Sequence, residues 1–315
     1  MPHLPTEFVH RFEDKSLLGS SGTASVLAFS ANGRLLALGG TRPTVDLWDV
    51  YEPRQVAALS GHAQSKLKGT ILSLAFSPDG RLLASGGHDK TVRLWSAANG
   101  ECVSVLSGFG GGVKHVAFHP AARVLAAADD DAVRLFDLDS GVGAPVPLTE
   151  SGNNALAFSP EGSLLAVAQA GTGKRGSHPP VALVDPASGQ TVRTIGGDEF
   201  PAKSLAFSPD GSLLAVVSRT GSDVRLWDTS SWQITRILKA PSLYFADQVA
   251  FSAQGALGAA LGERVALWDP GTEEKPVLLK MPSPLRTARV ETLAFSPDGR
   301  LLATCRRGSA VQIYR

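Results

Sequence analysis

Four groups of residues in this 315-residue chain have the types and spacing to suggest chemistry. His62, Ser85 and Asp89 could supply the base, nucleophile and carboxylate of a hydrolytic triad. Nothing around Ser85, in RLLASGGHDK, resembles the turn that raises a nucleophilic serine above an α/β sheet. Asp129-Asp130-Asp131 offers three carboxylates. Calcium wants six or more converging oxygens, and consecutive residues on a strand-to-strand turn diverge, so a solvated turn is expected. His115 and His119 stand four apart, which along a strand is about 13 Å and too far for one ion. Gly171-Thr172-Gly173-Lys174 looks like a phosphate loop, but its frame is broken at Ala168 and Arg175 and no helical pattern follows. No catalytic residue, metal ligand or cofactor site is expected.

The elements that must position these residues are short and repeated. Ile71 to Trp95 reads ILSLAFSPDGRLLASGGHDKTVRLW: three strand-length runs separated by two turn signals. Phe29, Phe76, Phe118, Phe158, Phe207, Phe251 and Phe295 each close a (V/L)AF run, at intervals of 40 to 49 residues. A turn follows each, and then a Leu/Val/Ala-rich run in all but the Phe251 repeat, which Gly255 and Gly258 blur. A third run ends at Trp48, Trp95, Phe136, Val184, Trp227, Trp268 or Tyr314. In LSLAF, alternation puts Leu72, Leu74 and Phe76 on one face and Ser73 and Ala75 on the other. Both faces are apolar or small, as required of a sheet sandwiched between two others. One such unit cannot bury its own faces, so stability requires stacking and closure.

Composition agrees with many strands and tight turns: 43% hydrophobic, 19% charged, 33 Gly and 20 Pro. The net charge of +1 argues against a global nucleic-acid binder. Cys102 and Cys305 cannot form a disulfide framework and fit a reducing compartment. The N-terminus, MPHLPTEFVHRFEDKSLL, lacks an apolar core of signal-peptide length, and no window has the roughly 18 apolar residues that span a bilayer. A cytoplasmic protein with no membrane partner is expected.

With Gly61-His62 followed by SPDGRLLASGGHDKTVRLW, the sequence resembles the WD-repeat β-propellers over essentially its whole length. The resemblance implies an all-β, seven-bladed propeller of four-stranded antiparallel blades, forming a single domain over residues 1–315. The repeats fall near 20–62, 63–109, 110–148, 149–195, 196–238, 239–279 and 280–315. The last repeat ends at the close of its third strand, so the strand-like run Phe8–Phe12 is expected to complete that blade and close the ring.

The resemblance also reassigns the would-be triad. It makes His62, Ser85, Asp89 and Trp95 a structural tetrad, in which the indole N–H donates into a buried network. The loop after His62, AQSKLKGTI, is longer than usual in the family and is expected to loosen it. The third repeat has Phe109 for the His, Ala126 for the Ser and Asp130 in the Asp position, while Gly221, Gly262 and Gly308 take that position in the last three.

By the same resemblance, loops before the first strand and between the second and third strands share one rim, the top. Its candidate partner surface is Arg42, Lys66, Lys68, Lys174, Arg175, Arg219, Tyr244, Phe245, Arg286, Arg289, Arg306 and Arg307, interspersed with Asp129–Asp131 and Asp247. The opposite rim is acid-leaning, with Asp49, Asp137, Asp185, Asp228 and Asp269 among its residues. The expected function is a non-catalytic module, monomeric by itself, that docks other proteins on the top rim, with acidic or phosphorylated peptides as candidate ligands. A hydrolase-like propeller with a channel site is the enzymatic alternative. Against it, the inner strands offer mainly Ser and apolar groups. Nucleic-acid association through Lys66, Lys68, Lys174, Arg175, Arg306 and Arg307 would show as steep salt dependence.

Overall fold

The computed structural model describes residues 4–12, 24–63, 70–148, 152–169, 181–196, 202–218, 223–239, 246–272, 275–279, 289–306 and 311–315. They form seven four-stranded antiparallel sheets. Blade 1 is Ala24–Phe29, Leu35–Gly40, Thr44–Asp49 and Arg54–Ser60. Blade 2 is Ile71–Phe76, Leu82–Gly87, Val92–Ser96 and Cys102–Leu106. Blade 3 is His115–Phe118, Val124–Ala128, Val133–Asp137 and Gly143–Val146. Blade 4 is Asn153–Phe158, Leu165–Gln169, Val181–Val184 and Thr191–Ile195. Blade 5 is Ala202–Phe207, Leu213–Ser218, Val224–Asp228 and Ile234–Leu238. Blade 6 is Ala246–Phe251, Leu257–Leu261, Arg264–Trp268 and Val277–Leu279. Blade 7 is Val290–Phe295, Leu302–Arg306 and Val311–Tyr314, completed by Phe8–Phe12.

That last pairing closes the ring as expected: Phe8 lies opposite Tyr314 and Phe12 opposite Val311. Glu7 and Arg315 exchange backbone hydrogen bonds of 2.8 and 2.7 Å, and the Phe8 ring meets Tyr314 edge-on at 5.8 Å. The open edge of blade 7 is thereby covered.

The core consists of slabs between blades. Each apolar cluster joins two neighbours: Leu47, Leu59, Leu83 and Trp95 pack between blades 1 and 2, and Leu27, Leu38, Ala303 and Ile313 between blades 1 and 7. In the inner strand of blade 2, Leu74 and Phe76 turn toward blade 1 and Ala75 toward blade 3. Burying each large apolar side chain contributes roughly 1.5–3 kcal/mol. The second strands are buried on both faces, which is why they read as Leu, Val and Ala runs.

The SPDG turn largely satisfies its own polar groups. Ser77 Oγ accepts from Leu82 N at 2.9 Å, Asp79 Oδ1 accepts from Arg81 N at 3.0 Å, and Gly80 sits at φ 69°. In blade 6, Gly258 lies where a Cβ would come within 3.1 Å of the Phe295 ring. The glycine that blurs this repeat therefore lets blade 7 pack closely.

One backbone feature decides what reaches the central channel. The inner strands of six blades carry a register irregularity at their start, as between Ile71 and Ser73, Ala202 and Ser204, and Ala246 and Gln248. Blades 1, 4 and 7 repeat it. A bulge breaks strict alternation and re-aims the residue within it. Leu72, expected on the face of Leu74 and Phe76, is absent from the cluster those two join and lines the channel, as do Ser25, Lys203, Asp247 and Glu291 at the matching positions.

Candidate functional site

The structure brings His62, Ser85, Asp89 and Trp95 together. Trp95 Nε1 donates to Ser85 Oγ at 2.8 Å, Ser85 Oγ lies 2.7 Å from His62 Nε2, and His62 Nδ1 lies 3.0 Å from both Asp89 oxygens. The donor sequence fixes the tautomer. Ser85 accepts from the indole and gives its own proton to Nε2, so Nδ1 carries the hydrogen that Asp89 accepts. Burial pushes the His62 pKa down, against the pull of Asp89, and keeps the ring neutral. Burial also opposes ionisation of Asp89, but Ala63 N, Thr91 and His62 outweigh it and lower its pKa.

The Asp–His–Ser order and contacts are those of a hydrolytic triad. Accessibility separates the two. Ser85 is 0% exposed, Trp95 1% and His62 5%, so no substrate carbonyl can reach Oγ, and its lone pair is already held by the indole. The group acts as a staple joining the start of blade 2 to its second and third strands. The segment 64–69 of the long loop after His62 lies outside the described residues, and the bond lengths beside it are ordinary.

Blade 3 corrects two expectations. Phe136 lies opposite Leu125 as Trp95 lies opposite Leu83, so the residue in the Ser85 position is Ala127, not Ala126. The acceptor is Asp129, not Asp130. Asp129 is 0% exposed and takes the N–H groups of Gly110, Gly111, Asp131 and Ala132 at 2.7–2.9 Å. The hairpin is one residue shorter than in blade 2, which accounts for Ala127, and the acceptor sits earlier within it, two residues after Ala127 where Asp89 stands four after Ser85. Burial works against the charge of Asp129, but these four donors prevail and lower its pKa. The three carboxylates thus diverge, with Asp129 turned inward and Asp130 paired to Lys114 at 2.5 Å.

At the top end of the channel the bulges of blades 5, 6 and 7 and the regular strand start of blade 3 gather charge. A cavity of about 430 Å³ is lined by Lys114, His115, Lys203, Asp247, Gln248 and Glu291, with Ser73, Ser204 and Thr292 beside them. The inner strands are therefore more polar than the expected Ser and apolar set. Asp247 binds Lys203 of blade 5 and, at 3.1 Å, Arg289 of blade 7. His115 belongs to this mouth, where burial and the neighbouring Lys114 push it down to about 4. His119 is in the turn beyond Phe118: Nδ1 accepts from Ala122 N at 2.7 Å, so Nε2 donates to Gly162 O at 3.0 Å.

Three of the predicted rim residues are described. Arg42 lies in the top turn of blade 1 and pairs with buried Asp46. Arg289 reaches the channel mouth. Arg306, expected in a rim loop, instead ends a buried strand and is 2% exposed, because the second strand of blade 7 runs one residue past Cys305. Lys66, Lys68, Lys174, Arg175, Arg219, Tyr244, Phe245, Arg286 and Arg307 lie outside the described residues. On the opposite rim the acid lean is turn chemistry. Asp49, Asp137, Asp185, Asp228 and Asp269 each accept an N–H from their own turn at 2.7–2.9 Å. Ser230 Oγ and the Ser231 N–H bring Asp228 down to about 2.

Sequence reasoning missed Lys203, Gln248 and Glu291. Only a bulge repeated at a fixed place before each (V/L)AF run could have shown them facing the channel. No curated protein matches the chain. The family model described as WD domain, G-beta repeat matches residues 53–96, 100–137, 189–228 and 282–315. Three of the matches run from the outer strand of one blade through the first three strands of the next, the fourth takes in the last three strands of the chain, and with seven four-stranded blades closed into a ring the chain is a member of the WD-repeat β-propellers.

Proposed function

We propose that this propeller is a non-catalytic cytoplasmic scaffold that docks other proteins over the channel mouth on its top rim. WD-repeat propellers generally bind other proteins. The observation that carries the proposal is a difference between the two rims. Bottom-rim carboxylates are engaged by their own turns. At the mouth, the charges come from separate blades and stay partly open, with side-chain exposure of 42% for Lys114 and 50% for Arg289. Acidic or phosphorylated peptides are the ligands that such a rim would take. The free cysteines, Cys102 and Cys305, accord with a reducing compartment.

The test is an affinity pull-down of wild type beside Lys114→Glu/Arg289→Glu, with circular dichroism showing that both are folded. Arg306 is unsuitable for such a reversal because it is buried. Loss of a specific partner is expected, and equal recovery of every partner by the folded variant defeats the proposal.

A further inference from the structure

The inner strands are sheet edges, so their outward backbone groups face the channel and need partners. At three blade junctions a side chain from the preceding blade supplies one. Val116 N donates to Ser73 Oγ at 3.0 Å, Val249 N to Ser204 Oγ at 3.2 Å, and Leu293 N to Gln248 Oε1 at 2.8 Å. Each junction uses an acceptor of the side chain and leaves its hydrogens. Ser73 and Ser204 keep a hydroxyl hydrogen and Gln248 keeps two amide hydrogens. All three residues line the mouth cavity. Above them stand the Lys114 and Lys203 ammonium groups, with one carboxylate partner each, Asp130 and Asp247, for their three hydrogens.

The polar side chains at the latch level therefore present hydrogens, and the ammonium groups above add more. From these we infer that the channel mouth is a binding site for a small oxyanion, a carboxylate or phosphate group. The cavity of about 430 Å³ is in the size range of small-ligand sites. Two acids face it. Asp247 is held by Lys203 and Arg289, and Glu291 lines the cavity from blade 7. The anion accordingly sits on the donor side of the cavity, away from Glu291, against Ser73, Lys114, Lys203, Ser204 and the Gln248 amide. His115 on that side is neutral at physiological pH. This site stands on the hydrogen-bond pattern of the channel and is independent of whether a protein docks on the rim.

Gln248→Glu tests it without disturbing the latch, because a glutamate oxygen still accepts from Leu293 N. The amide donors are lost and a negative charge enters the cavity. Isothermal titration at constant ionic strength, with chloride as the reference ion, uses two probes: inorganic phosphate and a pentapeptide with one central phosphoserine. Saturable one-site binding is expected, weakened roughly tenfold or more in Gln248→Glu, as for one lost charge-assisted hydrogen bond plus repulsion. Lys114→Gln, at an exposed position, should weaken it several-fold. Phosphate binding alone identifies a free ion as the ligand, and tighter binding of the peptide identifies a partner's side chain. Absence of saturation with both probes, or unchanged binding in Gln248→Glu, overturns the inference.

Discussion

In blade 2 the ring that ends the third strand, Trp95, gives its N–H to Ser85, and the bonds continue through His62 to Asp89. In blade 3 the same place holds Phe136, which packs against Phe109 with centroids 5.8 Å apart at 42°. Ala127 stands where Ser85 does. One blade holds its entry loop by a polar relay and the other by two rings. What both keep is a carboxylate that accepts the N–H following the loop residue: Ala63 N to Asp89 at 3.0 Å, and Gly110 N to Asp129 at 2.8 Å. The shared device is the carboxylate that orders the loop, and the aromatic or imidazole partner is interchangeable as long as its neighbours agree with it.

The strongest way to break this comparison is to remove the shared part. Asp129→Ala leaves the N–H groups of Gly110, Gly111, Asp131 and Ala132 without their acceptor in a buried site. A loss of about 3–5 kcal/mol in unfolding free energy is expected from urea titration. Asp89→Ala should cost a similar amount, since it orphans His62, Ala63 N and Thr91. If either substitution changed stability by less than about 1 kcal/mol, the carboxylate would be incidental to the blade.

A sharper test exchanges the chemistry. Ser85→Ala strands both the indole N–H and His62 Nε2 at a fully buried position, and a loss of about 2–3 kcal/mol is expected. The triple variant His62→Phe/Ser85→Ala/Trp95→Phe rebuilds the blade 3 arrangement in blade 2. It should be more stable than Ser85→Ala alone, because apolar groups replace the indole, hydroxyl and imidazole together while Asp89 keeps Ala63 N and Thr91 as donors, although the smaller ring forfeits about 1 kcal/mol of packing. Strong non-additivity is thus the expected signature. A triple variant as unstable as the sum of its parts would mean that the relay has no apolar equivalent.

The same two blades show what the sequence could reveal. The (V/L)AF period, the turn glycines and the leading Phe8–Phe12 run determine blade number and closure, since each follows from a local rule applied seven times. Counting back from Trp95 found the tetrad because Asp89 stands six residues and Ser85 ten residues before it. The same count failed in blade 3, where the hairpin is shorter by one residue and a carboxylate at its first position, Asp129, takes over as acceptor. Composition carries no trace of such a shift. The channel mouth was hidden for a related reason. Strict alternation assigns Lys203, Asp247 and Glu291 to blade faces, and only the bulge at each strand start turns them into the channel. Arg306 shows the converse: a charge pair next to a glycine reads as a loop, yet the strand continues through its first member.

The smallest expected effect separates the blades by pH. The folded-state pKa of His62 lies below its ordinary value of about 6.5. Above that value both folded and unfolded states are neutral, and the contribution of the relay is complete. As pH falls through 6.5 the unfolded chain takes up a proton that the buried ring refuses, so stability declines until the folded pKa is reached. His115, displaced to about 4, adds a decline over the window from about 6.5 to about 4. Asp89 and Asp129 behave otherwise. Their folded pKa values are lowered, so their contribution persists above the ordinary carboxylate value and is lost only as pH falls below it. Each proton can tilt the curve by at most about 1.4 kcal/mol per pH unit. Unfolding free energies measured from pH 8 to pH 3 should therefore show a histidine regime and then a carboxylate regime. In the triple variant the first slope should shrink to what His115 supplies, while the second should lessen only by the share of Asp89 that His62 supports, since Asp129 keeps all four of its donors. An unaltered slope between pH 6.5 and 4 would show that His62 is not held neutral, and the relay direction assigned to blade 2 would have to be reversed.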